Sequence, residues 1–84
     1  MDFEYTEEFR EAYRGLGAKD QRAVDAKLRL LASNYRHPSL RAAKWEEPNT
    51  WYARVTKDIR VFYEIHRGFY RLITVGHHDI ERRK

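Results

Sequence analysis

From Trp51 onward, apolar and polar positions alternate with a period of two. Trp51, Ala53 and Val55 alternate with Tyr52, Arg54 and Thr56, and Val61, Tyr63 and Ile65 with Arg60, Phe62, Glu64 and His66. That period predicts strands. The stretch from Trp51 to Asp79 reads as three consecutive strands joined by two tight turns. A three-residue first turn, Lys57-Asp58-Ile59, sets Thr56 opposite Arg60, Val55 opposite Val61 and Arg54 opposite Phe62. The second turn is Arg67-Gly68, where glycine supplies a positive φ. It sets Glu64 opposite Arg71, Tyr63 opposite Leu72 and Ile65 opposite Tyr70. Residues opposite each other share a face. One face then gathers Ala53, Val55, Val61, Tyr63 and Ile65. The other gathers Tyr52, Arg54, Arg60, Phe62, Ile73 and Val75, a mixture suited to a binding surface.

Upstream the period changes. Residues 2–6 alternate and predict a short first strand. Thr6 is placed to cap a helix, with Glu7 and Glu8 in its first turn complementing the helix dipole. Phe9, Tyr13 and Leu16 fall on one helical face. Gly17 follows the last apolar position, where a left-handed cap is common. A second helix is predicted from about Ala18 to about Tyr35, with Val24, Leu28, Leu31 and Tyr35 on one stripe and Leu30 widening it. Pro38 stops it, and His37 before the proline is biased to extended geometry. The two helices read as an antiparallel hairpin. Residues 40–45 are either an extended strand or an irregular connector. Glu46-Glu47-Pro48-Asn49-Thr50 is a turn by composition. The fold class is therefore α+β: an N-terminal strand and a two-helix hairpin on one face of a small, mostly antiparallel sheet, in one domain over residues 1–84.

Charge changes the picture more than composition does. The net charge is +4. Residues 1–53 hold nine Lys/Arg and nine Asp/Glu, whereas residues 54–84 hold eight and four. The positive field therefore belongs to the strands and the tail, and it points to a polyanion or an acidic partner. There is no cysteine, hence no disulfide framework and no thiolate metal site. No apolar run approaches the roughly 20 residues of a membrane helix. The acidic start Met1-Asp2-Phe3-Glu4 is unlike a signal peptide. A cytoplasmic protein with no membrane association is expected.

Three pieces in order, Trp51-Tyr52-Ala53-Arg54-Val55, Asp58-Ile59-Arg60-Val61-Phe62-Tyr63 and Val75-Gly76-His77-His78-Asp79, resemble the RelE/ParE superfamily of toxins from bacterial and archaeal toxin–antitoxin modules. The preceding helix pair extends the likeness over nearly the whole chain. The resemblance implies an antitoxin partner and two target classes. RelE-like members cut mRNA in the ribosomal A site, and ParE-like members poison DNA gyrase. The basic strands favour RNA, so a ribosome-dependent mRNA endonuclease is expected, contacting mRNA and ribosomal RNA.

Cleavage by an internal 2′-hydroxyl needs a base, an acid and cations that hold the transition state. Arginine fits the last role because its fork matches phosphate oxygens. By resemblance Arg60 holds the phosphate, and Arg54 stands where relatives carry a lysine. The resemblance gives proton transfer to His78. Continued alternation from Val75 instead puts His77 on the Arg60 face, and both stay candidates. Tyr52 is a candidate base-stacking residue. Lys57, Arg82 and Arg83 are candidate contacts to the RNA backbone. Adjacent strand histidines point to opposite faces, so no metal and no cofactor is expected. RelE-like nucleases commonly carry a catalytic tyrosine just past the Val-Gly end. Here that segment, Ile80-Glu81-Arg82-Arg83-Lys84, has none, which keeps open a binding-only gyrase inhibitor or a catalytically weak relative.

Overall fold

The computed structural model describes residues 2–34, 36–45 and 49–77. Among these, the elements are β1 (Asp2–Tyr5), α1 (Glu7–Arg14), α2 (Ala18–Ser33), a short 3-10 turn (Pro38–Leu40), β2 (Ala43–Lys44), β3 (Thr50–Arg54), β4 (Ile59–His66) and β5 (Phe69–His77). The strands form one sheet in the order β1-β5-β4-β3-β2. Only β1 pairs in parallel, against β5; the remaining pairs are antiparallel. The expected α+β architecture is present.

The helices form where the sequence signals them. Thr6 caps α1: its hydroxyl oxygen accepts the Phe9 N–H at 3.0 Å. Gly17 differs from expectation. It is extended (φ −68°) and caps the start of α2, while α1 ends at Gly15 in right-handed geometry. No left-handed residue is needed because the link turns directly into the next helix. Tyr13 O–H donates to Asp25 Oδ1 at 2.8 Å and Gln21 Nε2 donates to the Tyr13 carbonyl at 2.9 Å, tying the helices together. The predicted stripe is used, with Val24, Leu28 and Leu31 buried; Tyr35 lies outside the described residues. Phe9, the α2 stripe and Leu40 pack on Ala53, Val55, Ile59, Val61, Tyr63, Tyr70, Leu72 and Val75, so both helices cover one face of the sheet. None of the described helices is long and apolar enough to cross a membrane.

The ambiguous residues 40–45 divide between the two readings. Leu40 ends the 3-10 turn, Arg41 is left-handed (φ 47°, ψ 43°), and Ala43–Lys44 is a two-residue edge strand. Of the composition-based turn, residues 46–48 lie outside the described residues; Asn49 is left-handed (φ 62°) and Thr50 opens β3.

The β4–β5 hairpin has the expected register: Glu64 opposite Arg71, Tyr63 opposite Leu72, Ile65 opposite Tyr70. Gly68 in its turn has φ 87°. The β3–β4 register is displaced by two residues. Arg54 pairs with Arg60, Ala53 with Val61 and Tyr52 with Phe62. The cause is Thr56, whose hydroxyl accepts the N–H of Asp58 at 3.2 Å and of Ile59 at 3.1 Å. That side-chain turn takes Val55 and Thr56 out of the ladder. A displacement of two preserves the faces, because side chains repeat every second residue.

A second departure does change a face. Phe62 pairs with Thr74 while Tyr63 pairs with Leu72, so Ile73 is the extra residue of a β-bulge. The alternation of β5 reverses past that point. Val75, expected beside Arg60, instead joins Val61 in the core, 2% exposed. Thr6 sits on the bulge: its N–H donates to the Leu72 carbonyl at 3.2 Å, and its hydroxyl lies 3.0 and 2.7 Å from the carbonyls of Leu72 and Ile73.

Candidate functional site

The sheet face away from the helices carries the candidate chemistry. Even-numbered residues of β3 and β4 belong to it: Thr50, Tyr52 and Arg54, then Arg60, Phe62, Glu64 and His66. Across the middle runs an aromatic cluster. The Trp45 ring lies 5.1 Å from Phe62 and 6.1 Å from Tyr52, edge-on to both, and Tyr52 lies 5.7 Å from Phe62. The packing leaves Phe62 only 4% exposed and Tyr52 half-buried.

At one end of this band Arg54 and Arg60 are direct cross-strand partners. Like charges so placed repel, and the Arg60 guanidinium is drawn to its own turn. Its Nη1 donates to the carbonyls of Lys57 (3.2 Å), Thr56 (3.3 Å) and Ile59 (3.5 Å). The turn that Thr56 builds thereby holds the guanidinium head of Arg60. Arg54 has no carboxylate partner among the described residues. Both arginines are partly solvent-exposed. Beyond Arg60 on β5 stands Gly76, which brings no side chain into that register. Lys57 is exposed at the tip of the turn.

At the other end Arg71 lies between two carboxylates. It bonds Glu4 across β1–β5, and its Nη1 donates to Glu64 Oε1 at 3.2 Å. The hydrogen bond to Glu4 holds its guanidinium above the ordinary arginine range. His66 Nε2 lies 2.7 Å from the same Glu64 oxygen, and its ring stacks on Phe69 at 4.8 Å. The expected Glu64–Arg71 pair is part of this network; pairing of β1 with β5 adds Glu4, and period-two parity along β4 adds His66.

His77 is not placed as the alternation implied. It pairs with Ile59, a core-side position, because the bulge reverses the phase of β5. The structure brings together Arg54, Arg60, Tyr52 and Lys57 but leaves His77 off that register. His78, Arg82 and Arg83 lie outside the described residues.

No family model matches the sequence, and no curated protein sequence matches it significantly. Solved structures do match. YafQ from E. coli strain BL21(DE3) superposes with TM-score 0.80 at 16% identity, covering 94% of each chain. A YoeB/ParE toxin from Agrobacterium tumefaciens gives 0.79 at 14% identity, covering 93% of this chain and 99% of that one. The intact E. coli RelBE toxin–antitoxin complex gives 0.75 at 16% identity, covering 90% and 94%. The chain has an α+β fold of the toxin type shared by YafQ, YoeB and RelE.

Proposed function

We propose that this chain is the toxin of a toxin–antitoxin module and represses translation in the cytoplasm by cleaving mRNA in the ribosomal A site. The observation that carries the reading is the Arg54–Arg60 pair, side by side on the helix-free face at the edge of an aromatic cluster. Two arginines at paired positions on one face suit the non-bridging oxygens of one phosphate. In the reaction the 2′-hydroxyl loses its proton and attacks phosphorus, the 5′ oxygen leaves with a proton, and a cyclic phosphate remains. Arg54 and Arg60 hold the charge that develops on phosphorus. An imidazole exchanges the protons. His78 takes this role by the resemblance, in preference to His77, which pairs with Ile59 and not with Arg60. Tyr52 stacks a base, and Lys57, Arg82 and Arg83 hold RNA backbone. An antitoxin, acidic to match the basic strands, is the partner that blocks it; DinJ-YafQ and RelBE are solved as toxin–antitoxin complexes.

The deciding experiment is induced expression followed by mapping of mRNA 5′ ends. Cuts within codons support the reading, and Arg60→Ala removes them while the fold survives. One observation favours a binding-only inhibitor of gyrase: the Arg60 guanidinium is already received by carbonyls of its own turn. Relaxed plasmid DNA and a damage response with intact mRNA would establish that alternative.

A further inference from the structure

The short strand β2 puts little into the core: Ala43 is half-buried and Lys44 is exposed. Its effect is to place Trp45. The Trp45 N–H donates to the Thr50 carbonyl at 2.8 Å, which sets Trp45 opposite Thr50 and on the helix-free face. Arg41 and Asn49, the two left-handed non-glycine residues among those described, bracket this segment. Such backbone geometry costs local strain, and it gathers at ligand clamps and active sites. The Trp45, Tyr52 and Phe62 rings stand at the corners of a nearly equilateral triangle, with centroids 5.1, 5.7 and 6.1 Å apart. Both partners therefore lie to one side of the indole. Among the described residues no other ring and no guanidinium stacks on it. Trp45 stays half-buried, whereas Phe62 in the same cluster is 4% exposed. Along β3 the order is Trp45, then Tyr52, then the Arg54–Arg60 pair. Tyr52 and Arg54 are two strand residues apart, about 7 Å, and Trp45 lies 6.1 Å from Tyr52. Each step is roughly twice the rise of about 3.4 Å per nucleotide in a stacked helix.

We propose that Trp45 is a second base platform, so that the helix-free face takes two consecutive unpaired bases on one side of the phosphate held at Arg54–Arg60. This rests on reading that face as an RNA site, and it adds the length and state of the strand that the face accepts. The base next to the phosphate lies on Tyr52, and the one beyond it lies on the indole. Steps of twice the stacked rise hold the two bases splayed apart, which a paired strand does not supply. Aromatic faces accept any base, so the platform selects for an unpaired strand and not for a sequence.

The two tryptophans make the test internal, since Trp51 packs against the core on the helix side and Trp45 belongs to the opposite face. The full chain, labelled with ¹⁵N, is titrated with 2′-O-methyl UpUpU, which lacks the attacking hydroxyl and stays intact. The Trp45 indole resonance should move saturably while that of Trp51 stays in place. 2′-O-methyl UpU, one base shorter, should bind about tenfold more weakly, as expected for one stacked base. Trp45→Leu keeps an apolar cover on Phe62. It should bring the trinucleotide down to the affinity of the dinucleotide and leave the dinucleotide unchanged, and Trp45→Phe should restore most of the difference. A purely structural role would move both ligands equally. Equal affinities of the two ligands for the unaltered chain, binding of neither, an equal loss of both in Trp45→Leu, or an unmoved Trp45 resonance would overturn the proposal. So would a blunt 2′-O-methyl duplex that bound as well as the trinucleotide. Mapping of mRNA ends is read separately. A chain that cuts mRNA with Trp45 unmoved loses the second platform alone, and one that binds the trinucleotide through Trp45 but leaves mRNA whole loses the nuclease reading alone.

Discussion

The two ends of the helix-free face carry similar side chains arranged to opposite effect. At the β1 end, Arg71 is held between Glu4 and Glu64, with His66 on the same Glu64 oxygen. Its charge is matched where it stands, and its geometry is that of a clasp joining β1, β5 and β4. At the β3 end, Arg54 and Arg60 face each other directly, and the carbonyls that receive Arg60 belong to its own turn. Carbonyl dipoles orient a guanidinium without cancelling its charge. The first arrangement joins strands through paired opposite charges, and the second sets two like charges at paired positions. Net charge alone does not separate them; the difference lies in which neighbours each arginine meets.

That contrast can be broken from the middle outward. Phe62→Ala removes the ring between the two ends and should cost about 3–5 kcal/mol, as for other buried phenylalanines. Chemical denaturation measures it, and a loss below about 1 kcal/mol would show that the aromatic band is only a surface feature. Next in size, Arg60→Ala should lower RNA cleavage by about 10²-fold, close to 2.7 kcal/mol of transition-state stabilisation. The assay is single-turnover cleavage on ribosomes, with circular dichroism to confirm the fold. Arg54→Ala should weaken RNA binding about tenfold and reduce the slope of log affinity against log salt by about one. An unchanged slope would remove Arg54 from the phosphate contact. The smallest effect belongs to Arg71→Gln. It should leave cleavage unaltered and lower Tm slightly, since a solvent-exposed ion pair contributes little. If Arg71→Gln abolished cleavage as Arg60→Ala does, the two ends would not differ in kind.

Much of this arrangement is legible in the sequence, and the misses in the sheet share one cause. Period-two alternation over Arg60–His66 and a glycine turn at Gly68 fix the β4–β5 hairpin correctly. The Thr6 cap and the α2 stripe follow from the chemistry of helix ends and faces. Alternation says which face a residue takes, but it says nothing about how many residues leave the ladder at a turn. Thr56 settles that through a side-chain hydrogen bond, so Arg54 meets Arg60 rather than Phe62. The bulge at Ile73 is also a local event, held by Thr6 from 67 positions away. Its trace in the sequence is faint: core residues Tyr70 and Leu72 are two apart, whereas Leu72 and Val75 are three apart. The distance of Gly17 from the last apolar residue of α1 predicts a left-handed cap, but a link this short takes an extended one.

The pairing of β1 with β5 has an effect on the order of events during synthesis. Asp2 through Tyr5 find their only strand neighbours at Phe69 through Leu72, among the described residues. β1 must therefore wait for β5, and Thr6 has no backbone at Ile73 to grasp until then. Closing so long a span is slow compared with forming a hairpin. A growing chain is thus denied its finished sheet until Phe69–Leu72 have been made.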